Sequence, residues 1–128
     1  MINIPEIQGR EFDWFARDST GAIALFATAG SGAVPDCVLE AYEFHDNANE
    51  LIPVFGWGSP QIWDSYAAVG LFAYNWHDST GQYRRVANPA GPTFLSLNAA
   101  LGAIKLPAFC GQFAHALELG LEDLQDGA

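Results

Sequence analysis

Positive charge is scarce in this chain. Five lysines and arginines stand against fifteen aspartates and glutamates over 128 residues, a formal net charge of −10 with the histidines neutral. A surplus of that sign repels nucleic-acid phosphates and anionic lipid headgroups at long range, so the expected partner is a basic protein, with neither nucleic acid nor membrane. Cysteine is nearly missing as well. Cys37 and Cys110 are the only two, too few for a disulfide framework or a four-cysteine zinc site, and although they could pair, reduced thiols are expected. No stretch offers about twenty uninterrupted apolar residues, and the opening "MINIPEIQGR" has neither a basic nor an apolar leader segment. A cytoplasmic protein is the expectation. His45, His77 and His115 stand far apart, and neither H-x-x-x-H nor C-x-x-C spacing occurs, so no metal is expected.

What remains is rich in core material. Half the residues are apolar, and the length suits a single domain over residues 1–128. Two apolar runs, 12–17 and 22–28, flank the turn Asp18-Ser19-Thr20-Gly21, which suits a hairpin with Gly21 in the left-handed position. Phe12, Trp14 and Phe26 share one parity, Phe15, Ile23 and Leu25 the other, so this pair is expected inside a sheet covered on both faces. The same tetrapeptide returns at Asp78-Ser79-Thr80-Gly81, between "LFAYNWH" and "QYRRVA", and predicts a second hairpin.

From Pro35 the period changes. "PDCVLEAYEFHDNANELI", residues 35–52, places Cys37, Ala41, Phe44, Ala48, Leu51 and Ile52 in one stripe at helical spacing. A second, shorter helix is predicted in "SPQIWDSYAAVG", with Ser59 as N-cap and Gly70 as its stop. The apolar C-terminal third supports helical and strand readings alike; the favoured one is a helix over 107–117 and a strand over 119–124. The fold expected is α+β, an antiparallel sheet of two hairpins packed with two to three helices.

Candidate sites are few. "TAGSGAVPD" joins a strand to a helix, where anion cradles occur, but Pro35 lacks a donor, Asp36 already supplies negative charge, and no cation stands between Arg17 and Arg84. A hinge with Gly30 and Gly32 at positive φ is expected instead. Ser31 lacks the nucleophile-elbow pattern because Ala29 occupies its first glycine position. Cys37, near a helix start, belongs to the apolar stripe. No local motif demands an enzyme, although one could be assembled from distant residues, and no cofactor is expected.

More informative is an acidic set, Asp36, Glu40, Glu43, Asp46 and Glu50, which at helical spacing occupies one sector of about 120°. It is either a solvated face or a docking face, with Leu39 and Tyr42 as apolar anchors at its edge. Trp57, between Gly56 and Gly58, is either a packing lid or a contact residue.

"DWFARDSTGAIALFATAGSGAVP", residues 13–35, resembles small bacterial proteins that open with D-W-F-A, a D-x-x-G hairpin, an I-A-x-F strand and an A-G-x-G-x-x-P exit, with a weaker likeness over residues 70–83. These proteins are similar to immunity proteins of toxin systems, and the resemblance implies a small α+β domain that neutralises a toxin. With the acidity, it leads to an acidic binding protein for a basic toxin, touching it through Asp36, Leu39, Glu40, Tyr42, Glu43, Asp46, Glu50 and Trp57. The alternative is a small-molecule-binding or enzymatic domain with a pocket near Trp57 and His77.

Overall fold

Both Asp-Ser-Thr-Gly turns close hairpins: β1 (Asp13–Arg17) pairs antiparallel with β2 (Ile23–Ala27), and β3 (Phe72–His77) with β4 (Gln82–Ala87). Gly21 and Gly81 have φ of +87° and +67°. The computed structural model describes residues 12–125, so the reading of the first ten residues and the outer limits of the expected domain lie outside it.

The sheet is mixed, which corrects the expected antiparallel arrangement. β2 and β3 run parallel with Leu25 opposite Ala73, because the 44 residues between them hold three helices and carry the chain back to the starting edge. Short C-terminal strands extend both margins: β5 (Ala108–Phe109) runs parallel to β1, β6 (Glu118–Leu119) pairs with β4, and β7 (Leu124–Gln125) pairs with β5. The order is β6-β4-β3-β2-β1-β5-β7.

Each face carries its own core, as the two parities of β1 and β2 anticipate. On one face, Trp14 stacks on its cross-strand partner Phe26 at 4.4 Å and Phe26 on Tyr74 at 4.9 Å, with Tyr83 edge-on. The polar tips are satisfied: Trp14 Nε1 donates to Tyr83 Oη at 3.2 Å, and Tyr83 Oη donates to the Ala33 carbonyl at 2.7 Å. Burial raises both the Tyr74 and Tyr83 phenols above their usual range. The opposite face gathers Phe15, Ile23, Leu25, Leu71 and Ala73 under the helices.

Four α-helices are present among the described residues. α1 (Asp36–Glu40), α2 (Tyr42–Glu50) and α3 (Ile62–Ala68) fill the β2–β3 crossover, and α4 (Leu95–Gly102) follows β4. Ser59 assists the start of α3 by accepting from the Gln61 amide at 3.3 Å. Gly70, at φ +85°, ends the helix: its amide donates to Ala67 O and the Leu71 amide to Tyr66 O, both at 3.1 Å. The helix expected over 107–117 does not form; that segment is strand β5 and a 3₁₀ turn at Phe113–His115. Its apolar residues serve as edge pairing and as a plug, with Phe113 fully buried on the aromatic face. The strand expected over 119–124 is split by a second 3₁₀ turn, Leu121–Asp123. No helix among the described residues is long and apolar enough to cross a membrane.

Candidate functional site

The single helix expected over residues 35–52 is broken at Ala41, whose φ of −111° and ψ of 27° leave the helical well. Packing explains the break. Val38, Cys37 and Tyr42 pack with the Trp14 face of the sheet, whereas Ala48 and Ile52 belong to the Phe15 face, and His45 stacks on Phe15 itself. One straight helix cannot serve both faces.

The buried stripe consequently differs from the expected one. Val38, His45, Ala48 and Ile52 are inside, while Phe44 is 57% exposed and Leu51 49%. His45 Nδ1 accepts from the Phe15 amide at 3.1 Å, and burial pushes its pKa down to about 4. The ring is neutral at pH 7, and the other nitrogen, Nε2, is buried without a hydrogen-bond partner.

The acidic residues are divided by the same geometry. Asp36 and Glu40 are exposed on α1, Glu43 and Glu50 are exposed on α2, and Asp46 is half-buried. None of the five forms an ion pair with a described residue. The described cations lie elsewhere: Arg84 approaches Glu118 at 3.9 Å, Arg85 Nη1 donates to Phe113 O at 2.6 Å, Arg17 Nη1 donates to Gly21 O at 3.3 Å, and Lys105 follows α4. Leu39 is half-buried, and Tyr42 stacks on Phe12 with centroids 4.8 Å apart, so Tyr42 is occupied in the core edge. The apolar groups actually presented beside the acids are Phe44 and Leu51. At 100° per residue they share one side of α2 with Glu43, Asn47 and Glu50, all exposed.

The glycine-rich exit is a hinge with the amides of Gly30, Ser31 and Gly32 turned back on Thr28. The amides of Ser31 and Gly32 donate to Thr28 O at 3.1 and 2.8 Å, and the Gly30 amide reaches Thr28 Oγ1 at 3.4 Å. Ser31 Oγ donates to Asp78 Oδ1 at 2.9 Å, fastening the hinge to the second hairpin. Positive φ falls on Ala29 and Gly30, at +53° and +89°, whereas Gly32 does not adopt it. Gly32 is needed for close approach instead, since a Cβ there would stand 2.6 Å from Tyr83 Oη.

Between α2, the loop before α3 and the sheet lies a cleft of about 500 Å³. Asp46 and Asn49 of α2, Trp57 of the loop, Trp63 of α3, and Asp13 and Asn75 of the sheet contribute to its lining. Trp57 is 71% exposed, so it is no packing lid. It is carried between Gly56 and Gly58, both at φ +78°, on a loop closed by the Ser59 amide and hydroxyl donating to Gly56 O at 3.0 and 2.9 Å. His77, expected beside this pocket, does not line it; its Nδ1 lies 2.8 Å from Ser79 Oγ at the hairpin. Of these groups, the sequence signals Asp46 and Trp57, but Asn49, Asn75, Asp13 and Trp63 converge only through the crossover. No group of three His, Cys, Asp or Glu side chains among the described residues is placed to hold a metal ion.

No protein family, no curated protein and no solved structure matches this chain.

Proposed function

We propose that this protein is an acidic binding protein that docks a basic protein partner on the exposed side of α2, as an immunity protein docks a basic toxin. One observation carries the reading: Phe44 and Leu51 project to solvent on the same side as Glu43 and Glu50, with no cation of the described chain paired to those acids. Burying an exposed aromatic or aliphatic side chain stabilises an interface by about 1.5–3 kcal/mol. The acids beside it gain complementary charge from a basic surface and steer the encounter. Glu40 and Asp36 on α1 extend the negative field.

The test is affinity purification from the native cell with the wild type and with a Glu43→Lys/Glu50→Lys protein shown by circular dichroism to be folded. A partner of high isoelectric point should be retained by the wild type and lost by the charge-reversed protein. Equal retention by both, or an acidic partner, overturns the assignment.

A further inference from the structure

The cleft beside Trp57 is separate from the docking side of α2, because Asp46 and Asn49 project from the flank of the helix while Phe44 and Leu51 project outward. Three of its properties select a ligand chemistry. Among the described residues of its lining the charged side chains are two carboxylates, Asp13 and Asp46, with no lysine, arginine or histidine, so an anion is disfavoured both by them and by the net charge. Asn49 Oδ1 is buried and has no hydrogen-bond partner, an acceptor whose desolvation is uncompensated until a donor reaches it. Trp57 and Trp63 add two indoles, and indole is the best aromatic face for a cation.

We propose that this cleft binds the guanidinium or alkylammonium group of an organic cation. Asp46 supplies the countercharge, Asn49 Oδ1 accepts an N–H bond, and the indoles of Trp57 and Trp63 cover the apolar stem and the face of the cation. A neutral sugar could use the amides and aromatic faces but draws nothing from the carboxylate charge, which separates the two chemistries experimentally. The guanidinium could arrive on a small molecule or on the arginine of a polypeptide, and the proposal does not depend on the docking role of α2.

Titration calorimetry and tryptophan fluorescence with four probes decide it: agmatine, N-acetyl-arginine amide, its uncharged isostere N-acetyl-citrulline amide, and methyl glucoside. Both guanidinium probes should bind saturably at one site, with the citrulline probe weaker by roughly tenfold or more. Asp46→Asn should weaken the guanidinium probes by a similar factor without weakening the citrulline probe. Trp57→Ala, a change on an exposed loop, should weaken them too and reduce the fluorescence response to the part that Trp63 gives. Glu43→Lys/Glu50→Lys should leave saturable binding in place, so a failed docking surface and a failed cleft are told apart. Tighter binding of agmatine points to a small molecule, and tighter binding of the arginine amide to a polypeptide side chain. Equal affinity for the arginine and citrulline probes, binding of the glucoside alone, indifference to Asp46→Asn, or no binding of any probe overturns the proposal.

Discussion

The Phe15 amide donates to Nδ1 of His45, and this bond takes the place of a missing sheet partner. Arg17, two residues on, donates its amide to Pro107 O at 2.9 Å beside β5, and the Phe15 amide points to the same side. β5 is only two residues long and pairs with Arg17 alone, so the strand cannot reach Phe15. The imidazole of α2 does.

A protonated ring cannot accept that bond, so stability should depend on pH through His45. Its folded pKa, about 4, lies below the ordinary 6.5. The contribution is therefore complete above 6.5, falls as pH drops between 6.5 and 4 because the unfolded chain binds the proton first, and changes no further below 4. Relative to a His45→Gln variant, whose amide oxygen can accept the same bond, wild-type stability should fall by about 2 kcal/mol between pH 7.5 and 5. Urea denaturation of both proteins at those pH values measures it. Parallel profiles would refute the role of the ring.

The two Asp-Ser-Thr-Gly turns should respond unequally to loss of the aspartate. Asp18 is buried; Oδ1 accepts from the Thr20 and Ala22 amides at 2.8 and 3.0 Å, and Oδ2 from the Phe113 amide at 2.9 Å, tying the first hairpin to the C-terminal plug. Asp78 is exposed, and its Oδ1 accepts from Trp76 Nε1 at 2.7 Å and from Ser31 Oγ. Asp18→Ala should cost at least about 2 kcal/mol because it strands the buried Phe113 amide and releases two turn amides, and Asp78→Ala less than about 1 kcal/mol because water replaces the carboxylate. Denaturation midpoints in the reverse order would count against the tether.

Much of this architecture is legible in the residues. Alternating parity in 12–17 and 22–28 anticipates two cores, and the glycine of each tetrapeptide anticipates its hairpin. The parallel join of β2 to β3 is less visible, since nothing in the strands themselves records the direction of their neighbour. The stripe of the main helix misleads because residues 37–52 carry apolar groups nearly all round, so Phe44 and Leu51 compete with Val38, His45 and Ala48 for the inner side. Only the sheet decides, and it does so through Phe15 and His45. Two-residue strands such as β5 have no period to read, and the cleft depends on residues as distant as Asp13 and Asn75.

Glycine substitutions separate backbone strain from crowding. Gly21, at φ +87°, has open space around an added Cβ, so Gly21→Ala should cost about 1 kcal/mol from the left-handed conformation alone. Gly70, at φ +85°, closes α3 against the Pro92 carbonyl, which a Cβ would strike. Gly70→Ala should therefore cost clearly more than Gly21→Ala, by roughly 1–3 kcal/mol of overpacking. Chemical denaturation of the pair checks the order. Equal midpoints would remove the crowding term.

On the side of α2 proposed for docking, charge and apolar contact should divide between the two rate constants of binding. Glu43→Lys/Glu50→Lys should slow association with the basic partner and flatten its salt dependence, since steering acts before contact and is screened over about 10 Å at 0.1 M salt. Phe44→Ala and Leu51→Ala should leave association nearly unchanged and speed dissociation, because their contribution begins once water is excluded. All four side chains are exposed, so folding should survive each change, and removing Glu43 and Glu50 relieves repulsion in a sector with no cation. Tyr42→Ala provides the contrast. Its ring stacks on Phe12 in the core edge, so truncation should lower the denaturation midpoint, whereas truncating Phe44 should not. Surface plasmon resonance at two salt concentrations, with circular dichroism for each variant, resolves the two effects. Wild-type association by the charge-reversed protein at both salts, with unchanged dissociation for Phe44→Ala, would reduce this side of α2 to a solvated surface.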